Sequence, residues 1–520
     1  MIQESPAPSP SHWNYSVQSS GQALASYNGD VAILGAFSSV SPAGVPSFAT
    51  ISQLIIPPTV TAIQTAGYYT PGDEGGAVYV RTAVAGPAAG KVQSGDGQWW
   101  VLNVPQVNVK MFGAKGDNAT DDTAAFQAAL NFGQTVFVPD GNYILASSLT
   151  VASFQRIFAN YSLLNTNLSD NNGGVKLVFT GTATACFNTA SQIKYFSMAG
   201  ITIVATGTYN WIFNFITPIQ CTFENVWASN QNAAGGVYQG TYQTGVTTWI
   251  NTFFNCFFGV PTAGTQYNNI IGSSDSFFIS CYFSGGLGFK DISFGGNVYT
   301  GCHFDNINNS QASAAGLTFV NNTDNTGVNC NSAVTGCYFD NNYQAIRFDA
   351  TNAPNNCIFG TSVTGCIFRG ASGGQGDLYW VGPASNQTTG TQVTGCCMSG
   401  GAVTSFAFSN TNFKQASLVN NSNIFGAINF ANVNGLSIFD NRGFIGNQGN
   451  CQSLKTNGLL NAAGGLQIPV ATSSTLPGGP QNGQVVFITD ASVTTPGAIA
   501  AGGGSTRILI NYDGTNWRVV

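Results

Sequence analysis

Charge is scarce in this chain. Only 7% of its 520 residues are Asp, Glu, Lys or Arg, and the 15 Lys and Arg form no basic run. A phosphate-binding footprint is therefore missing, which excludes nucleic acid as an expected partner. Histidine is scarcer still, with His12 and His303 alone, so zinc motifs built on several His are excluded. No apolar run approaches the roughly 20 residues of a membrane helix. The start, MIQESPAPSPSHWNYSVQ, has neither the basic nor the apolar region of a secretion signal. These absences predict a soluble chain with no membrane insertion. The 12 Cys include no CxxC pair and recur mostly inside one apolar motif, so they read as reduced, buried, small hydrophobes rather than as disulfides or metal ligands.

What the chain does have is 64 Gly, abundant Asn, Ser and Thr, and a visible repeat. Such a composition is turn-rich and predicts an all-β fold. VYTGCHFDN (298–306), AVTGCYFDN (333–341), SVTGCIFRG (362–370) and QVTGCCMSG (392–400) are close copies. IQCTFEN (219–225), FNCFFG (254–259), ISCYFSG (279–285) and VNGLSIF (433–439) are looser ones, with Leu436 in the Cys place of the last. Their Cys positions, from Cys221 to Cys396, lie 21 to 35 residues apart, which fits a solenoid whose loops vary in length. Between them come ISF (292–294), LTF (317–319), AIRF (345–348), LYW (378–380), FAF (406–408) and AINF (427–430), so each coil contributes at least two strands. Alternation across a strand turns Cys302 and Phe304 inward and His303 and Asp305 outward, and the same parity holds in every copy.

The stretch FGAKGDNATDDTAAFQAAL (112–130) concentrates three aspartates, Asp117, Asp121 and Asp122. Thr120 or Asp121 can cap a helix, and the acidic pair suits the positive end of its dipole. Ala125, Phe126, Ala129 and Leu130 then form one apolar stripe, and TVFVPDGNYIL reads as strand, Asp-Gly turn, strand. Together VNVKMFGAKGDNATDDTAAFQAAL and VFVPDGNYIL resemble the entry segment of the pectate-lyase-like right-handed parallel β-helix family. The resemblance spans Val107 to about Leu145. In that family the helix covers the open end of the solenoid, so the three aspartates are expected to serve architecture. The polygalacturonase branch is matched only at NTD, Asn322 to Asp324, and no acidic cluster for calcium stands out, so neither metal nor cofactor is expected.

The outward columns carry the candidate chemistry. The residue after each Cys is Thr222, Phe257, Tyr282, His303, Tyr338, Ile367 and Cys397, and the third residue after it is Glu224, Gly259, Ser284, Asp305, Asp340, Arg369 and Ser399. Rings beside carboxylates suit a sugar polymer, whose apolar faces stack on aromatics while carboxylates move protons. At about 4.8 Å per rung, Asp305 and Asp340 on consecutive coils put their carboxyls about 5 Å apart, an acid/base pair for glycoside hydrolysis of either stereochemistry. In the duller account FDN merely ends a strand by starting a turn. Glu224 lies about three rungs away, roughly 14 Å, and would need another partner. Asp349 and Arg347, on IRFDA, suit contact with an acidic sugar or form a plain ion pair, and Tyr282, Tyr338, His303 and Arg369 are expected at the substrate or in a packing column. The ring column fits a sugar platform and a subunit interface equally.

Both ends extend the resemblance. IPPTVTAIQTAGYYTPGDEGGAVYVR and GDGQWWVL, within 47–106, resemble the small β module that precedes the β-helix in phage and prophage tailspikes. STLPGGPQNGQVVFITDASVTTPGAIAAGGGSTRILINYDGTNWRVV resembles terminal modules of phage tail fibres. The expected organisation is an attachment segment or linker over 1–46, a head over 47–106, a β-helix over 107–455 with its capping segment at 107–145, and a terminal β module over 466–520. The resemblance implies a homotrimer, made in the host cytoplasm and carried on the virion tail or baseplate through its N-terminus. It also implies a bacterial surface polysaccharide (capsule, O-antigen or exopolysaccharide) as ligand and substrate. The first reading is a depolymerase acting by glycoside hydrolysis; the alternatives are β-elimination with His303 or a Tyr as base, and receptor binding without catalysis.

Overall fold

The computed structural model describes residues 47–422 apart from 161–173, 242–248, 273, 294, 308–310, 312, 321–330, 352–357, 370–376, 383–386, 399–405, 410–411 and 415–416, then 471–476 and 485–520. For 406–414 and elsewhere in the chain it gives the backbone of short strands only. Asn322 to Asp324, AINF and the Leu436 side chain fall outside the described residues. Two compact units divide the chain, Met1–Asn457 and Gly458–Val520.

The larger unit is a parallel β-helix. Each full coil lays one short strand in each of three sheets, which hold 14, 11 and 10 strands. In one coil these are Val298–Thr300, His303–Asp305 and Leu317–Val320, here called the first, second and third sheets. All pair in parallel with the next coil, Val298 over Ala333, His303 over Tyr338 and Leu317 over Ile346. The expected solenoid and its inward parity are therefore observed, and the repeated VTGCYF motif is two strands folded around a corner rather than one.

Backbone geometry makes that corner. Gly301, Gly336, Gly365 and Gly395 have φ between 60° and 64°, and Asn225, Asn255 and Ser280 take the same place in earlier coils with φ of 50° to 52°. One left-handed residue bends the chain, and the next side chain turns inward. In Cys256, Cys281, Cys302, Cys337, Cys366 and Cys396 that side chain is a buried, free thiol. Each thiol sits against a carbonyl of the preceding coil, as Cys302 Sγ to Phe278 O at 3.2 Å and Cys337 Sγ to Tyr299 O at 3.4 Å. A small side chain with a weak donor thus fits a corner where the strand ladder is interrupted. The thiols pile in one internal row, as the sequence led us to expect.

Aromatic stacks fill the rest of the core. Phe283, Phe304, Phe339 and Phe368 follow one another at centroid distances of 4.8 to 5.1 Å. Phe253, Phe278 and Tyr299 stack on the first sheet at 4.7 and 4.8 Å, and Phe348 on Trp380 at 4.8 Å on the third.

Cys221 corrects the expected column. It stands at the other corner, between the third and first sheets, level with buried Asn251, Ser276, Asn297, Ser332, Thr361 and Thr391. Its strand, Thr222–Glu224, pairs with Thr252–Phe254 on the first sheet. Val226 holds the Cys place of that coil, and Trp227, not Thr222, lies over Phe257. Both corners use a left-handed residue followed by a small inward one, so the same C-x-F spelling arises at either.

The capping segment behaves as expected in substance. The helix Thr123–Phe132 buries Ala125, Phe126, Ala129 and Leu130. Its N-cap residue is Asp122 rather than Thr120 or Asp121. Asp121 Oδ1 accepts from the Thr123 and Ala146 N–H groups at 3.0 and 3.1 Å, and Asp122 accepts from Lys115 and Gly116 at 2.7 and 3.0 Å. Asp117 accepts from Ala119 and Thr120 at 3.0 and 2.7 Å. Three carboxylates are spent on backbone donors in the first coil. Thr135–Phe137 and Gly141–Leu145 enter different sheets, so PDG is a corner and not a hairpin.

Ahead of the solenoid, Ala62–Gln64, Val78–Thr82, Lys91–Gln93 and Trp99–Leu102 share one seven-stranded sheet with Asn14–Val17, Gln22–Tyr27 and Val31–Ala36. Residues 1–46 thus contain strands, against the expected linker: QALASY and the apolar run VAILGA flank an Asn-Gly, a strong hairpin signal. In the smaller unit Val485–Ala491, Thr506–Tyr512 and Trp517–Val519 pair antiparallel.

The corner glycines give a stability test. Nothing lies within 4 Å of a Cβ built on Gly336, so Gly336→Ala should cost only backbone strain, about 1–2 kcal/mol, read by chemical denaturation. Gly336→Asn should recover most of it, because Asn tolerates the left-handed region that Asn255 already occupies. Equal loss in both variants would mean that crowding, not φ, sets the cost.

Candidate active site

The outer face of the second sheet presents two vertical columns. One runs Trp227, Phe257, Tyr282, His303, Tyr338 and Ile367; the other runs Ser229, Gly259, Ser284, Asp305, Asp340 and Arg369. Trp227 and Phe257 stack at 3.8 Å, and Tyr282 lies 5.3 Å further along. His303 packs edgewise between Tyr282 and Tyr338, with centroids at 4.4 and 4.8 Å. A cleft of ≈ 290 Å³ opens over the upper part of both columns, lined among others by Lys176, Trp227, Ser229, Phe257, Gly259 and Ser284. Gly259 matters there, since a Cβ at that position would lie 2.7 Å from the Phe257 ring. Ser284, at the cleft's lower end, is the ladder partner of Asp305.

Asp305 and Asp340 are themselves ladder partners, so the expected vertical adjacency is observed. One ligating atom from each of His303, Asp305 and Asp340 lies within 4.8 Å of the others. Tyr282 Oη donates to Asp305 Oδ2, and Asn306 Nδ2 donates to the same oxygen at 3.0 Å. Burial of the ring, and then that carboxylate, push the Tyr282 hydroxyl pKa well up. Arg369 Nη1 is 3.7 Å from Asp340 Oδ2 and donates to Tyr338 Oη at 3.4 Å. By distance alone His303, Asp305 and Asp340 could hold a cation. The sequence offers no such motif because these ligands come from two coils and are joined only by the ladder.

The other expected residues lie elsewhere. Arg347 and Asp349 belong to the third sheet, in the same coil as Asp340, where Arg347 Nε and Nη2 donate to Asp349 Oδ2 at 3.0 and 2.9 Å. Glu224 is exposed on the first sheet, in line with Phe254 and Ile279 rather than with the carboxylate pair. Sequence reasoning passed over Trp227 and Ser229, because Val226 replaces the Cys that would have marked their coil.

The solenoid and this ring-and-carboxylate groove define a class, the parallel β-helix proteins. No protein-family model and no curated protein matches the chain. Among solved structures it is similar to a tailspike protein of the Acinetobacter baumannii bacteriophage Fri1, a capsular polysaccharide depolymerase. That match has a TM-score of 0.53 at 15% identity and covers 91% of this chain and 90% of that one. It is also similar to full-length tailspike protein 2 of the Escherichia coli O157:H7 bacteriophage CAB120, with a TM-score of 0.46 at 15% identity over 96% of this chain and 66% of that one. The Streptococcus pneumoniae surface protein and adhesin PfbA matches with a TM-score of 0.38 at 15% identity, over 67% of this chain and 97% of its own. At 15% identity the first of these likenesses speaks for the fold alone.

Burial lowers the His303 pKa from its ordinary 6.5, while Asp305 and Asp340 pull the other way. Below that value the unfolded chain binds the extra proton first. The stability His303 contributes is thus complete above about 6.5 and is lost as pH falls from there through the folded pKa. Ring-proton NMR should give a His303 midpoint below 6.5, and His303→Phe should flatten the acid side of the stability curve. A midpoint at or above the ordinary value would contradict the packing described.

Proposed function

We propose that this protein is a tailspike-type depolymerase that binds a bacterial surface polysaccharide along the second-sheet groove and cleaves it by glycoside hydrolysis. The observation that carries the reading is the clustering of His303, Asp305 and Asp340 within 4.8 Å below a ring-lined cleft. Sugar faces stack on Trp227, Phe257 and Tyr282. One carboxyl of the pair gives its proton to the leaving glycosidic oxygen while the other attacks or supports the anomeric carbon. The likeness to the bacteriophage Fri1 depolymerase over 91% of this chain supports the same class of substrate.

One oxygen of each carboxyl lies within 4.8 Å of the other, nearer the roughly 5–5.5 Å of retaining enzymes than the roughly 6.5–9.5 Å that an inverting enzyme keeps open for its water. Self-association belongs to this reading as well. Trp249, Ile250, Phe254 and Phe277 are 39% to 46% exposed along the first sheet and its corner, an apolar stripe suited to burial against further copies of the chain. The N-terminal strands would then carry attachment to the tail.

A second reading, β-elimination, draws on His303: its Nε2 has no hydrogen-bond partner among the described residues, and burial keeps it a neutral base at pH 7. Incubation with capsular or lipopolysaccharide preparations separates the readings. Shortened polymer with new reducing ends and no ultraviolet absorbance supports hydrolysis, absorbing products support elimination, and binding at unchanged length supports a receptor-binding fibre. Asp305→Asn and Asp340→Asn should each lower turnover by at least about a hundredfold, the lower end of general acid–base catalysis. Full activity in both would remove them from the site.

A further inference from the structure

Asp305 and Asp340 share a ladder and a spelling, FDN in both coils, and yet their surroundings differ. On Asp305 two donors meet one oxygen, Oδ2: Tyr282 Oη, from the coil before, and Asn306 Nδ2 at 3.0 Å. Asn306 is itself held, because Asn341 Nδ2 donates to its Oδ1 at 2.8 Å. The relay therefore has a direction, from Asn341 through Asn306 to Asp305. Turning the Asn306 amide over would set its oxygen against the carboxylate and its nitrogen against the Asn341 donor, so the ladder fixes which end faces Asp305. Left-handed backbone at both Asn, with φ of 54° and 52°, puts the two amides at the same place in consecutive coils.

Neither device is repeated at Asp340. One coil before it, where Tyr282 stands for Asp305, the ring column holds His303, which offers no hydroxyl. The amide next to Asp340, that of Asn341, is turned to Asn306 instead. Beside Asp340 stands Arg369, whose Nη1 is 3.7 Å from Oδ2 on a side chain that is 63% exposed, too distant for a hydrogen bond and screened by water. Asn on Asn is also a plain building element of this solenoid, since Asn255 Nδ2 donates to Asn225 Oδ1 at 2.7 Å on the corner between the first and second sheets. At Asn306 the same step runs on into a carboxylate.

We propose that Tyr282, Asn306 and Asn341 are positioning residues that single out Asp305 as the nucleophile of a double displacement and leave Asp340 as its acid and then its base. On the hydrolytic reading above, which this rests on and deepens, the pair thus divides its two roles. With Oδ2 held by two donors, Asp305 keeps one orientation and offers Oδ1, as attack on a defined carbon requires. Asp340, held by neither device, is left to turn from the leaving oxygen to water between the two steps, as a proton carrier does. In the first step Oδ1 of Asp305 bonds to the anomeric carbon, the glycosidic C–O bond breaks with its electron pair on the leaving oxygen, and that oxygen takes the Asp340 proton. In the second, water gives a proton back to Asp340 and bonds to the same carbon, and the bond to Asp305 breaks with its pair returning to the carboxylate.

Sodium azide on glycine variants of the full chain tests the division, with the capsular or lipopolysaccharide preparation that the wild type shortens as substrate. In Asp305→Gly azide fills the space of the missing carboxylate and attacks once, so the glycosyl azide should have inverted configuration. In Asp340→Gly azide displaces Asp305 in the second step, so the product should have retained configuration. Tyr282→Phe and Asn306→Gly should each lower kcat by about tenfold or more with KM within about twofold, the loss of one charged hydrogen bond, and Asn341→Gly should lower it less. Glycine keeps the left-handed backbone of Asn306 and deletes the amide alone. Asn255→Gly, which deletes the same kind of step on the other corner, should leave kcat unchanged. Reversed azide products, unchanged kcat in both Tyr282→Phe and Asn306→Gly, or an equal loss in Asn255→Gly would overturn the proposal. Matching thermal midpoints establish that the variants are folded. Reversed azide products would leave the depolymerase standing, whereas ultraviolet-absorbing products, or a wild type that shortens no polymer, would remove the hydrolytic reading itself.

Discussion

Parallel register between coils is the constraint on which everything else depends. Most strands are only three or four residues long, too short to be stable alone, and survive because the coils above and below complete their backbone hydrogen bonds. A one-residue slip would turn the stacked Phe and Cys columns to solvent and the carboxylates into the core. The inner stacks therefore hold the outer face in place: Phe304 lies flat on Phe339 with 6° between the rings, and Asp305 and Asp340, one residue further on, are held one above the other.

Under that constraint a side chain's neighbours are set by coil number rather than by sequence distance. Tyr282, His303 and Tyr338 are far apart in the chain and touch ring to ring. The groove gains an apolar wall from one column and a polar floor from the other, with an axial repeat of about 4.8 Å.

Much of this was legible in the residues. Alternation with a Cys and a Phe in the close copies fixes which side chains face in, and it places Asp305 over Asp340. The first sheet's register was not legible from the same spelling, because Cys221 occupies a corner that other coils fill with Asn, Ser or Thr, and this moved Glu224 away from the pair. Trp227 escaped notice for the complementary reason, a Val standing where a Cys was sought. The strands before residue 46 were hidden by the Ser and Pro around them, although VAILGA itself is an ordinary strand sequence.

The corner between the first and second sheets has a consequence of its own. It is two residues long in every coil from Asn225–Val226 to Gly395–Cys396, whereas the connection from the second sheet to the third ranges from the four residues after Ser284 to the eleven after Asp305. Of the two connections that border the groove, only one thus grows and shrinks, while the two walls keep a constant pitch. Such a molecule can change what it recognises by trading loops without retuning the surface on which bonds would be broken, a separation of variable and invariant parts set by a left-handed residue followed by a thiol.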